Sequence, residues 1–135
     1  MSLSIVYIPG KWDVLHIGHL NMLERAGAYG DRLIVGVESD RLIEEETGQP
    51  PVIKEQDRCR MLQALRAVDA AVVYNTFDYW KTVKNLNANV LIFGESHTQD
   101  RHMKVQVHME ANRKSVVRLP YTEGVSSTML KAGLK

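Results

Sequence analysis

Five short apolar runs, separated by longer stretches with helical spacing, limit this chain more than any other feature. The runs are Leu3–Ile8, Leu33–Val37, Ala70–Tyr74, Val90–Phe93 and Val116–Leu119, and most are rich in β-branched residues. Each has the length and composition of a buried strand, and the first ends at Pro9-Gly10. Between them, Ile17, Leu20, Leu23 and Ala26 fall on one face of a helix from Ile17 to about Ala28. Asp40 to Glu46 predicts a short helix. Thr47 to Lys54 holds Gly48, Pro50 and Pro51 and predicts a loop. Glu55 to Val68 predicts a helix with Met61, Leu62, Leu65 and Val68 on one face, and Tyr79 to Leu86 another. Ser96 to Asn112 is polar, rich in His and Met, and fits a loop followed by a helix. Pro120 to Gly124 predicts a turn and Ser126 to Leu134 a last short helix.

Strands alternating with helices predict a parallel sheet covered on both faces. The expected fold is α/β, a Rossmann-like, doubly wound, five-stranded sheet in a single domain over residues 1–135. In such sheets ligands bind outside the carboxyl ends of the strands. The residues to inspect therefore follow positions 8, 37, 74, 93 and 119.

Composition narrows the ligand. Lys plus Arg total 17 and Asp plus Glu total 16, a formal net charge of +1. That balance removes the long-range field of a general nucleic-acid binder, so an anion must be held by local geometry. A hydrophobic fraction of 44% is too high for a disordered chain. The single cysteine, Cys59, permits no intrachain disulfide and fits a reducing compartment. No apolar run reaches the ~18 residues that cross a membrane. The start, Met1-Ser2-Leu3-Ser4, lacks the basic and apolar regions of a signal peptide. The expectation is a cytoplasmic protein with neither membrane nor nucleic acid as partner.

The segment from Gly10 to His19 joins the first strand to the first helix. Helix N-termini present unpaired N–H groups and a positive dipole end, which suit phosphate. His16 and His19 share one side of the first turn, and Gly18 lets a ligand approach the backbone. Imidazoles there can donate to phosphate oxygens, each with the potential to be charged near neutral pH. Other readings of these residues are a satisfied core histidine, a metal-binding pair, and a solvated loop for Lys11 and Trp12.

Gly10-Lys-Trp-Asp-Val-Leu-His16-Ile-Gly-His19 resembles the GTFDxxHxGH signature of the cytidylyltransferases. Adenylyltransferases share the bare His-x-Gly-His; the flanking glycine and Asp13 sharpen the resemblance. It implies that His16 and His19 hydrogen-bond nucleotide phosphates and stabilise the transition state. It also implies nucleotide contacts from Gly10, Trp12, Asp13 and Gly18. Asp13 would orient the histidines or a metal.

Pro120 to Lys131 resembles the RTEGISTT signature of the same family. By itself its Ser/Thr cluster reads as a helix N-cap. The resemblance implies that Thr122, Gly124, Ser126, Ser127 and Thr128 meet the nucleotide, while Tyr121 stands where the family has arginine. A tyrosine supplies no bidentate cation. Glu55-Gln-Asp-Arg58 resembles the family's E-x-x-R helix start, and Arg66-Ala-Val-Asp69 its R-Y-V-D. Gly48 falls where a lysine is expected before the prolines, leaving Lys11 or Lys54 to replace its charge. Phe93-Gly94-Glu95 resembles the GDD segment, with Glu95 and Ser96 for the aspartates, and implies a nucleotide contact at Gly94.

The implied reaction joins CMP from CTP to a small phosphorylated alcohol, first of all glycerol 3-phosphate, with release of pyrophosphate. Lys11 and Arg58 would neutralise developing charge. Mg2+ is implied, bound mainly through phosphates, as is a homodimer. Two alternatives stand beside this. One is adenylyl transfer from ATP to a phosphorylated sugar, pantetheine or flavin. The other is a nucleotide-binding relative without catalysis. Trp80 reads as core or dimer packing, His97, His102 and His108 as exposed, and Cys59 as an inert thiol.

Overall fold

A computed structural model describes residues 3–94 and 99–120. The described residues form one five-stranded parallel sheet in the order β3-β2-β1-β4-β5. The strands are β1 (Ile5–Gly10), β2 (Arg32–Glu38), β3 (Ala70–Tyr74), β4 (Val90–Gly94) and β5 (Ser115–Leu119). The helices are α1 (Ile17–Gly27), α2 (Asp40–Thr47), α3 (Glu55–Gln63), α4 (Tyr79–Leu86) and α5 (Gln99–Ala111). The expected Rossmann-like, doubly wound sheet is therefore present. The expected final helix over 126–134 lies outside the described residues.

Strand alternation sends side chains to both faces, and each face carries its own core. Val6, Ile8, Leu33, Val35 and Ile92 pack with Met22, Leu23 and Ala26 of α1 and Leu62 of α3. Tyr7, Leu91 and Phe93 pack on the other face with Tyr79 and Val83 of α4 and Val105 and Met109 of α5. Asn89 clips the amino end of the sheet. Its Oδ1 accepts from Ile5 N at 2.8 Å while its own N–H donates to Ile5 O at 2.8 Å.

The helix predicted over 55–68 stops at Gln63. Met61 is 44% exposed rather than part of the core. Past Gln63 the chain turns to enter β3, because Asp69 must pair with Leu33. The Asp69 N–H donates to Leu33 O at 3.0 Å, and its Oδ2 accepts from Leu33 N at 2.8 Å. Leu65 and Val68 keep an apolar periodicity without a helix, and Val68 is buried by the turn itself.

The order of strands reverses between β1 and β4: the chain fills the β2-β3 side first, then the β4-β5 side. The crevice at this switch point lies outside Gly10 and Gly94, the last residues of β1 and β4.

Candidate active site

The loop after β1 is built around an inward-turned tryptophan. Trp12 and Val14 have φ of 55° and 57°, the left-handed region. The first of these bends the Trp12 indole back against β1, where it is 6% exposed and its Nε1 donates to Gly36 O at 2.9 Å. A Cβ at Gly10 would lie 2.9 Å from Trp12 Cε2, so the side-chain-free Gly10 makes the indole's seat. Trp12 is thus core rather than solvated loop, and Gly10 serves the indole.

Two buried charged groups complete the loop. Both Asp13 oxygens accept backbone N–H groups, from Val52 at 2.8 Å and Ile53 at 2.9 Å. No cluster of three His, Cys, Asp or Glu suited to a metal stands among the described residues. Asp13, the candidate metal ligand, is the clasp that holds residues 52–53 against the loop. Arg58 is likewise engaged by the protein. Its side chain is fully buried, and its guanidinium donates to Ile53 O, Lys11 O, Glu38 O and Asp40 Oδ1 at 2.6–2.8 Å. With these donors spent on protein groups, Arg58 ties three segments together and is not a free cation for a ligand.

His16 and His19 open α1 as a reciprocal capping box. His16 Nδ1 accepts from Gly18 N at 3.0 Å, and His19 Nδ1 accepts from His16 N at 3.2 Å. The N–H groups of His19 and Leu20 donate to His16 O. Of the N–H groups expected to face a phosphate, those of His16, Gly18 and His19 are therefore taken up within the helix start. With each Nδ1 an acceptor, the ring proton sits on Nε2. The rings stack with centroids 3.9 Å apart, and Trp12 meets His19 edge-on at 5.3 Å. Burial lowers both pKa values. For His19, burial, then the neighbouring His16, outweigh Asp13 and bring it down to about 4. Both rings are thus held below the ordinary histidine pKa, and each presents an Nε2–H.

A polar cluster at the carboxyl end of β2 was not visible in the sequence. Lys11 Nζ lies 2.9 Å from Glu46 Oε1, and Arg101 Nη1 lies 2.7 Å from Glu46 Oε2. Glu38 is 3% exposed and its Oε1 accepts from the Tyr74 hydroxyl at 3.2 Å. Burial above all, with Glu46 beside it and Lys11 opposing, pushes Glu38 up to about 7. Burial also resists charge on Glu46, but hydrogen bonds from Lys11 and Arg101 prevail and hold it down at about 2. Glu38 thus carries the proton of the pair. Its Oε2 meets no donor among the described residues. A hint existed: Glu46 closes an acidic run, Glu44-Glu45-Glu46, at a helix C-terminus, where the dipole disfavours it.

Arg101 also lies 3.4 Å over the Phe77 ring and lines a cavity of about 710 Å3 between α4 and α5. Phe77, Tyr79, Trp80, Lys104 and His108 share its wall. Trp80 stacks on His108 at 5.4 Å, and His102 packs on Phe93 at 5.3 Å. His102 is therefore half-buried rather than exposed as expected. Cys59 is half-buried, its thiol pushed up by burial, in keeping with an inert group. Gly18 is buried inside the first turn of α1, and Gly94 ends β4 at the crevice. Thr122, Gly124, Ser126, Ser127, Thr128 and Tyr121 lie outside the described residues. So do Glu95 and Ser96.

No described helix is long and apolar enough to cross a membrane. Among curated proteins, the chain is 34% identical over 127 residues to the bifunctional protein HldE of Koribacter versatilis, covering 93% of this chain and 26% of that protein. It is 33% identical over 118 residues to the FAD synthase of Pyrococcus abyssi, covering 86% and 80% respectively. It thus spans about a quarter of the length of the HldE proteins it matches. Among solved structures, a lipopolysaccharide core biosynthesis protein from Thermoplasma volcanium superposes with a TM-score of 0.80 at 25% identity, over 90% of this chain and all of that one. The family model described as cytidylyltransferase-like matches residues 7–133. With the doubly wound sheet and the paired histidines at its switch point, this places the chain in the cytidylyltransferase-like family of nucleotidyltransferases.

Proposed function

We propose that this chain transfers a nucleotidyl group from a nucleoside triphosphate to a phosphate monoester. An acceptor phosphate oxygen attacks the α-phosphorus, the bond to the bridging oxygen of the β-phosphate breaks, and pyrophosphate leaves. The observation that carries the reading is the pair of neutral imidazoles at the start of α1, each with Nδ1 tied to backbone and Nε2–H free to donate. Such fixed donors stabilise charge as it develops on phosphate oxygens without reorganising. His16 and His19 hold the phosphates being exchanged, and Lys11 supplies a cation beside them. Trp12, Asp13 and Arg58 act by holding the loop. Gly94 leaves the β4 side of the crevice open to the nucleotide. The Ser126-Ser127-Thr128 helix start, with Thr122 and Gly124, is the proposed seat of the remaining phosphates. In this reading Mg2+ enters with the nucleotide phosphates, because the described side chains offer it no ligand set.

The base and the acceptor have two forms. The sequence signatures support CTP with glycerol 3-phosphate. The likeness to a protein named FAD synthase supports ATP with a phosphorylated flavin. A homodimer is the proposed assembly. The test is pyrophosphate release from CTP and from ATP, each with glycerol 3-phosphate, FMN and a panel of sugar phosphates. Release with one pair supports the reading and names the substrates. Background release with every pair overturns it, and nucleotide binding without turnover points to a non-catalytic relative.

A further inference from the structure

Two cations from distant elements converge on one carboxylate. Lys11 grips Glu46 Oε1 at 2.9 Å and Arg101 grips Oε2 at 2.7 Å, so both oxygens are clamped much as a phosphate would be. Within α2 nothing favours an acid at this position. Glu46 lies in the last turn of α2, next to Glu44 and Glu45, where the helix carbonyl end repels an anion. Behind it stands buried Glu38, a second carboxyl group whose charge it opposes. A residue at odds with its own helix, held by cations from two distant elements, is where a working site is to be sought. The neighbourhood supplies the occupant. Lys11 follows β1 on the loop that leads to His16, and Arg101 lines the cavity between α4 and α5. Through Arg101, the clamp at the end of this loop borders that cavity.

We propose that Glu46 holds the place of the acceptor's phosphate: Lys11 and Arg101 form the clamp for a phosphate monoester, and Glu46 is a built-in competitor that this phosphate displaces. Naming the monoester as acceptor rests on the nucleotidyltransferase reading above; the clamp itself is testable without turnover. Displacement exchanges a singly charged carboxylate for a group of about two charges above pH ~6. Singly charged ligands compete poorly with Glu46, so the device selects dianionic phosphate.

The test is calorimetric titration of the protein with inorganic phosphate, glycerol 3-phosphate and FMN, with CTP and ATP as separate arms. Glu46→Gln is expected to tighten at least one of the three phosphates about tenfold. Arg101→Met in the Glu46→Gln background is expected to reverse that gain. Glu45→Gln removes the same charge from the exposed Arg41 pair and is expected to change nothing. Tightening of none of the three phosphates, or equal tightening by Glu45→Gln, overturns the proposal. So does a gain confined to CTP or ATP, which would assign the clamp to the nucleotide. Should Glu46→Gln fail to fold, Arg101→Met alone is expected to weaken binding about tenfold, and unchanged binding overturns the proposal. Tightening with no pyrophosphate release from any pair would remove the proposed reaction and leave the clamp standing.

Discussion

His19 Nδ1 accepts the backbone N–H of His16 at 3.2 Å, so the ring proposed to donate to a phosphate is also a helix cap. The two roles separate chemically. Asparagine at 19 places an amide oxygen near the position of Nδ1 but has nothing at Nε2. His19→Asn is therefore expected to keep the cap, staying within about 1 kcal/mol of the parent in urea, and to lose turnover about 100-fold. Equal loss of stability and activity would mean that the ring acts through the fold alone.

The same ring sets an acid limit. His19 has its pKa lowered to about 4 from an ordinary 6.5, so the unfolded chain binds its proton first. Its contribution is fully present above pH 6.5 and is lost as pH falls from 6.5 towards 4. Glu38 works in the opposite sense. Raised from 4.5 to about 7, it favours the folded state at low pH, and that contribution is lost as pH rises from 4.5 to 7. Glu38→Gln removes this loss. Its melting temperature relative to the parent is expected to climb through that window and level off above it. A difference that stays flat from pH 4.5 to 7.5 would show that Glu38 ionises like an exposed glutamate.

Arg58 distinguishes a structural from a catalytic cation. Replacing it with methionine leaves three backbone carbonyls and the Asp40 carboxylate without their donor. Arg58→Met is expected to cost at least about 2 kcal/mol in urea denaturation. Arg58→Lys should recover little, since an ammonium lacks the fork that spans these acceptors. A variant as stable as the parent but inactive would return Arg58 to the chemistry.

How far these roles were legible follows from distance in sequence. Strand and helix periods differ, so the apolar runs and the face of α1 placed the sheet, the carboxyl ends of its strands and the histidines. The end of α3 was misread because Leu65 and Val68 keep the helical rhythm through a turn fixed by Asp69 and Leu33. The seat of Trp12 needs Gly10 and Gly36 from two strands and a left-handed φ, which no local pattern announces. The clamp at Glu46 needs α2 and α5 brought together across 55 residues. Its only local trace was an acid at the wrong end of a helix.

Beneath the site, β1 and β2 meet at a contact without slack. A Cβ at Gly36 would lie 2.1 Å from the Tyr7 hydroxyl and 2.6 Å from its Cζ. Tyr7 is fully buried, so its ring has nowhere to retreat. Gly36→Ala is therefore expected to destabilise by about 3 kcal/mol or more, at the upper end for overpacking. Because Gly36 O also anchors the Trp12 indole, the strain should reach the loop between β1 and α1 and shift indole fluorescence in the native state. The Tyr7 hydroxyl meets no hydrogen-bond partner among the described residues, so Tyr7→Phe removes a buried polar group at little cost. It is expected to be neutral or stabilising by itself. It should also recover part of the Gly36→Ala loss, because the nearest clashing atom is gone. Urea melts of the two single variants and the double variant check all three expectations. Simple additivity of the two effects would show that Gly36 and Tyr7 are not in contact.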